Sequence, residues 1–83
     1  MTTPSWLEQR EASVRAGLNA YTHFVLLSGH PFYKLVAVPA QGKFTCVVTQ
    51  TNNGKRLDNQ KSYNSDEEAL NGGLEELREK LGW

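Results

Sequence analysis

Leu70, Leu74, Leu77 and Leu81 recur at intervals of four, three and four, which puts them on one stripe of a 3.6-residue helix. Ser65-Asp66-Glu67-Glu68 supplies the start, with a serine oxygen for an orphan amide of the first turn and Glu68 reaching back to the cap. Three acids in the first turn and Arg78 and Lys80 near the end suit the helix dipole. Gly82 follows as a left-handed C-terminal cap, with Trp83 placed to fold back on Leu77. Gly72-Gly73 sits in the middle, where each glycine costs about 1 kcal/mol relative to alanine in an exposed helix. Close approach of the helix backbone to a sheet accounts for the pair; a flexible joint is the alternative.

Toward the N-terminus, Leu7, Val14, Leu18, Tyr21 and Val25 follow at seven, four, three and four. That stripe predicts a helix opening at Thr3-Pro4, or in a second capping register at Ser5-x-x-Glu8, with Glu11 and Arg15 as a favourable i,i+4 pair. Gly29 and Pro31 would stop it near Leu27, although Phe24 to Leu27 also fits a short buried strand. Tyr33 to Val38 reads as a strand ending at Pro39, and Pro39 to Gly42 as a turn. Phe44, Cys46 and Val48 alternate with Thr45, Val47 and Thr49, so the first three should face a core. Asn52-Asn53-Gly54 predicts a hairpin turn, and Lys55 to about Tyr63 a polar third strand with an edge position or a bulge near Asp58-Asn59. The expected architecture is α-β-β-β-α, a two-layer α+β sandwich whose three-stranded antiparallel sheet is covered on one face by the N- and C-terminal helices.

At 83 residues the chain suits one domain, 1–83, with residues 1–3 as a loose N-terminus. Its single cysteine cannot form an internal disulfide. Nine basic and nine acidic residues cancel, so no net charge draws the chain to nucleic acid or membrane. Charge is nevertheless unevenly spread. Lys34, Lys43, Lys55, Arg56 and Lys61 stand against Asp58 alone in the middle segment, whereas the C-terminal helix holds six acids against two bases. A basic sheet complementing an acidic helix within one molecule would explain this. No apolar leader opens the chain and no stretch approaches the roughly 18 apolar residues of a membrane span, so a soluble cytoplasmic protein without a membrane partner is expected.

Catalytic chemistry is sparse. His23 and His30 are seven apart, Cys46 alternates in phase with Phe44 and Val48 as a buried thiol would, and no metal-ligand or nucleophile spacing joins them. Gly42, Gly54 and Gly72-Gly73 have no phosphate-cradle spacing. Neither an enzyme nor a cofactor is expected.

Leu18-Asn19-Ala20-Tyr21, Pro31-Phe32-Tyr33, Phe44, and Ser65 with Ala69 together resemble landmarks of the double-stranded-RNA-binding domain over roughly residues 14 to 81. The resemblance implies the α-β-β-β-α order. Where that family grips phosphate with lysines at its second helix, Asp66, Glu67 and Leu70 stand here, and the first-strand turn is Ala40-Gln41-Gly42-Lys43 in place of Gly-Pro-x-His. The resemblance therefore speaks for fold more than for duplex binding. Two functions from different classes remain. In the first, the chain is a protein–protein interaction module or accessory subunit, a homodimer or a docked partner, whose surplus aromatics Trp6, Phe24, Phe32 and Trp83 form the interface. In the second it binds nucleic acid through a basic sheet face and its turns, using Lys34, Lys43, Lys55, Arg56 and Lys61.

Overall fold

The computed structural model describes residues 3–17, 19, 21–58 and 61–83. The long N-terminal helix expected from the leucine and valine spacing is a single turn, α1 (Ser5–Glu8). It stops because Glu11 takes a φ of +57°, through which no α-helix continues, after Arg10 and Glu11 have bonded the carbonyls of Leu7 and Glu8 at 2.9 and 3.1 Å. Ser5 lies inside the helix with Pro4 at its cap position, so the Ser5–Glu8 capping box does not form.

Beyond Glu11 the chain is a five-stranded antiparallel meander: β1 (Ala12–Ala16), β2 (Thr22–Leu27), β3 (His30–Ala40), β4 (Lys43–Gln50) and β5 (Ser62–Tyr63), in spatial order β1-β2-β3-β4-β5. The fold is α+β, but in place of a three-stranded sheet covered on one face by two helices the described residues form five strands, one helical turn and one full helix. Val14 and Val25, expected on one stripe of a helix, are instead direct cross-strand partners. Leu18, which that stripe also included, lies outside the described residues.

Two tight hairpins build the centre. Ser28-Gly29 (φ +51° and +83°) joins Leu27 to its partner His30, and Gln41-Gly42 (+52° and +79°) joins Ala40 to Lys43. Consecutive positive φ values are those of two-residue turns whose twist matches the strands. Pro39 pairs with Phe44, so β3 continues past the residue expected to end it. Opposite β2, Val25 pairs with Tyr33 and Leu26 with Pro31, leaving Phe32 as the extra residue of a β-bulge.

The predicted third strand is mostly not a strand. After a turn closed by Gly54 N–H on the Gln50 carbonyl (2.8 Å), the chain touches β4 at a Thr49–Arg56 bridge and, among the described residues, forms a ladder again only at Ser62–Tyr63. The pairings Thr49–Arg56 and Phe44–Tyr63 are separated by five steps on β4 and by seven on the returning chain, two more than a regular ladder takes. The bulge expected near Asp58-Asn59 falls in this stretch, but Asn59 is outside the described residues.

Asp58 holds this stretch in place of a strand. Its Oδ1 accepts the Val48 N–H at 3.2 Å while the Leu57 N–H donates to the Val48 carbonyl at 2.7 Å, so side chain and backbone together complete β4's edge. Arg56 donates to the same carboxylate from Nε (3.1 Å) and Nη2 (2.9 Å), and the Asp58 side chain is 1% exposed. Burial pushes its carboxyl up; the Arg56 bonds and charge and the Val48 N–H outweigh this, and its pKa lies below the ordinary aspartate value.

The C-terminal helix α2 (Asp66–Leu81) forms with both its signals in use. Ser65 Oγ accepts the Glu68 N–H (3.1 Å), and Glu68 Oε2 reaches the Asn64 N–H (3.3 Å), one residue before the cap. Gly82 is left-handed at φ +71°, and Trp83 N–H returns to the Arg78 carbonyl at 3.0 Å. Leu70, Leu74 and Leu77 are buried against Leu35, Val48 and Cys46, and Leu81 packs partly against the same core. The double glycine lies where α2 meets the sheet. A Cβ on Gly72 would overlap the Tyr63 ring, and one on Gly73 would overlap the Cys46 sulfur and stand 3.2 Å from Leu35 Cδ2. Both glycines thus permit close approach of helix to strands.

Candidate functional site

Because side chains alternate along a strand and cross-strand partners share a face, pairing sorts the sheet into two surfaces. One carries Ala12, Val25, Tyr33, Leu35, Ala37, Cys46 and Val48, joins Leu7 of α1 and the leucines of α2, and is the core. The other carries the alternate residues, and neither helix packs on it.

One row crosses this second face with a residue from each segment: Arg15 on β1 pairs with Phe24, Phe24 with Lys34, Lys34 with Thr49, and Thr49 with Arg56. Four inter-strand steps of about 4.8 Å make the row about 19 Å long. Beside it runs a β-branched row, Thr22, Val36 and Val47, and beyond that Val38, Thr45 and Ser62. On the other side are Ser13, the buried Leu26 and the bulged Phe32, which is 46% exposed. The five strands contain no aspartate or glutamate. Phe24 is half-buried, and its ring lies toward β1: a Cβ on Gly17 would stand 3.1 Å from its Cε2. The same Cβ would stand 2.9 Å from Thr22 Cγ2, so a side chain at Gly17 would press on both Thr22 and the ring.

The expected nucleic-acid residues do not form one cluster. Lys34 sits in the middle of the face and Arg56 in the same row, bound to Asp58. Lys43 is beside the β3–β4 turn, Lys55 is beyond the opposite end of β4, and Lys61 precedes β5. Arg15 was missed because it reads as the helical partner of Glu11; its signal was the alternation of Ala12, Val14 and Ala16 with Ser13 and Arg15, weakened by the two alanines.

The expected protein interface is divided as well. Trp6 and Trp83 meet edge to face at 6.2 Å, with Arg78 over the Trp6 ring at 5.4 Å and Arg10 over Trp83 at 5.0 Å. Both rings pack against the core and close its end. Phe24 and Phe32 belong to the opposite face.

The residues considered for catalysis are dispersed. Cys46 is buried under α2, and burial followed by the nearby Glu76 and Asp58 charges pushes its thiol up to about 12, far from thiolate chemistry at neutral pH. His23 is buried on the core face, where burial lowers its pKa, and its Nδ1 has no hydrogen-bond partner among the described residues. His30 is exposed beside the β2–β3 turn. Among the described residues no three His, Cys, Asp or Glu side chains converge on a metal-sized site, and no helix is long and apolar enough to cross a membrane. Asn19 and Tyr21 lie in the β1–β2 connection, not in a helix; Leu18 and Ala20, the other residues of that family landmark, are outside the described set. Thr3, expected in the loose N-terminus, accepts the Val14 N–H at 3.1 Å; Met1 and Thr2 are outside the described residues. No protein-family model matches the sequence, and comparison with curated proteins and with solved structures yields no match either.

Proposed function

We propose that the protein is a non-catalytic binding module that engages nucleic acid through the uncovered face of its sheet. The observation that carries this reading is the row Arg15–Phe24–Lys34, an aromatic ring between two exposed cations on strands without a single acid. Cations neutralise phosphate and aromatic faces stack on bases, and here the two are direct cross-strand neighbours. Internal neutralisation of a basic sheet by an acidic helix does not account for the row, since α2 packs on the opposite side and Arg56 and Arg78 pair with Asp58 and Glu75 within their own layers. Binding of labelled nucleic acid, measured by fluorescence anisotropy at low and moderate salt, tests the proposal. Affinity should fall as salt rises; absence of binding at low salt refutes it.

A second reading, a protein partner, draws support from the apolar part of the same face: Val36, Val38, Val47 and Phe32, with Phe32 and Val38 exposed at 46% and 37%. Such a partner would be a different chain or a second copy of this one. Sedimentation velocity over a concentration series separates the cases: a concentration-independent monomer removes the homodimer.

A further inference from the structure

We infer that the open face takes a single strand of nucleic acid rather than a duplex, with Phe24 as the base-stacking platform between Arg15 and Lys34. This rests on the proposal that the face binds nucleic acid at all. Charge complementarity selects a polyanion: Arg15 and Lys34 are exposed, and no acidic side chain comes from any of the five strands. Shape then selects the single strand. A duplex major groove about 12 Å wide admits a helix or a two-stranded ribbon, whereas this face is a row about 19 Å long spread over five segments. The cations lie within the face, on the first and third strands, rather than on a projecting tip. Among the described residues, the one long helix that could enter a groove begins with Asp66, Glu67 and Glu68, which repel phosphate.

The apolar surroundings point the same way. A duplex presents phosphate and sugar outward and keeps its bases stacked inside, so Val36, Val47 and the Phe24 ring would gain nothing from it. An opened strand offers each base's flat face to the ring and to the β-branched row, while Thr22, Thr45 and Thr49 supply hydroxyls for base edges.

The test compares four labelled probes of equal length, about 12 nucleotides, within the roughly 4–16 nucleotide footprint of single-strand binding folds: single-stranded DNA and RNA, and duplex DNA and RNA. Duplex RNA is included because of the sequence landmarks noted above, and polyglutamate serves as a competitor without bases. The single strands should bind best. Phe24→Leu, which keeps an apolar side chain but removes the ring, should weaken binding about tenfold with little change in salt dependence. Phe24→Tyr should restore it. Arg15→Gln and Lys34→Gln should each lower the slope of log K against log salt by about 0.7. Lys80→Gln, on α2, should change nothing, and circular dichroism should find every variant folded. Equal or tighter binding of duplex overturns the single-strand inference while leaving nucleic-acid binding standing. Competition by polyglutamate as effective as that by the single strand, or a Phe24→Leu variant that binds normally, overturns it too. Failure of all four probes at low salt overturns the parent proposal.

Discussion

Replacing Gly73 by alanine should destabilise the protein, although the same change in an exposed helix would stabilise it by about 1 kcal/mol. Gly73 is buried within α2, and its new Cβ would overlap the Cys46 sulfur while standing 3.0 Å from Cys46 Cβ and 3.2 Å from Leu35 Cδ2. Neither neighbour is the loose end of a long side chain. Both belong to central strands, pinned between the helix and the rest of the core. Overpacking of this kind costs about 1–3 kcal/mol, which exceeds or cancels the helix-propensity gain. The net loss is therefore up to about 2 kcal/mol, or a fall in Tm of up to roughly 15 °C for a domain of this size. Urea unfolding of four proteins isolates the cause: wild type, Gly73→Ala, Cys46→Ala and the double variant. Cys46→Ala removes the overlapping sulfur, so Gly73→Ala should become neutral or stabilising in its background, with a coupling energy of about 1–2 kcal/mol. A Gly73→Ala protein more stable than wild type by the full propensity gain would refute the close packing of α2 on β3 and β4. Gly72→Ala should cost less, because the obstructing group is the outer end of the Tyr63 ring, on a two-residue strand at the sheet edge.

Asp58→Ala should cost about 1–3 kcal/mol in urea unfolding, since it leaves the Val48 N–H without its acceptor. The carboxyl's folded pKa is depressed, so its contribution is complete above the unfolded value of 3.8 and lost as pH falls through the folded value; Asp58→Asn should flatten the stability–pH curve in that acid window. His23 titrates with the opposite charge. Its pKa is lowered by burial, so the unfolded chain takes up its proton first: stability should rise with pH from the folded value to 6.5 and level off above it, and His23→Leu should abolish that slope. Cys46, with its thiol near 12 and its side chain in the core, should resist iodoacetamide in the native protein at mildly alkaline pH and react promptly in denaturant.

What could be read from the sequence tracks how each element satisfies its own ends. The last helix carries cap, stripe and stop within nineteen residues, so local signals sufficed from Ser65 to Trp83, and the alternation of Phe44, Cys46 and Val48 identified the core side of β4. The N-terminal third misled because strand and helix periods can coincide over a few positions: Leu7, Val14 and Val25 do point into the core, but on three different elements. Ser28-Gly29 was the missed signal, a two-residue turn between apolar runs, overlooked once Gly29 had served as a helix stop. Asp58 illustrates a limit of another kind, since nothing local marks a carboxylate that substitutes for strand backbone by accepting the N–H of Val48, ten positions away. The proposed binding row was illegible for the same reason: Arg15, Phe24 and Lys34 become neighbours only through two hairpin registers, and a one-residue slip in either would turn one of them inward.

Zero net charge argues against long-range attraction only if the charges are mixed, and in this fold they are layered. Arg15 and Lys34 are exposed on one side of the sheet, while Asp66, Glu67, Glu68, Glu75 and Glu79 are carried by the helix on the other. The arrangement is a dipole normal to the sheet, which steers a polyanion by orientation and not by overall attraction. Within the row the positive end is lopsided, because Arg56 already answers Asp58, whose buried carboxylate could not lose its partner cheaply. In the proposed binding mode the strand therefore runs over β1 to β3, past Phe24, and Arg56 serves the fold. Asp58→Asn would release Arg56 from its ion pair while leaving an amide oxygen for the Val48 N–H, so it should tighten binding of a single strand and steepen its salt dependence. Unchanged affinity and slope in a folded Asp58→Asn protein would refute the claim that the ion pair with Asp58 is what keeps Arg56 out of the binding row.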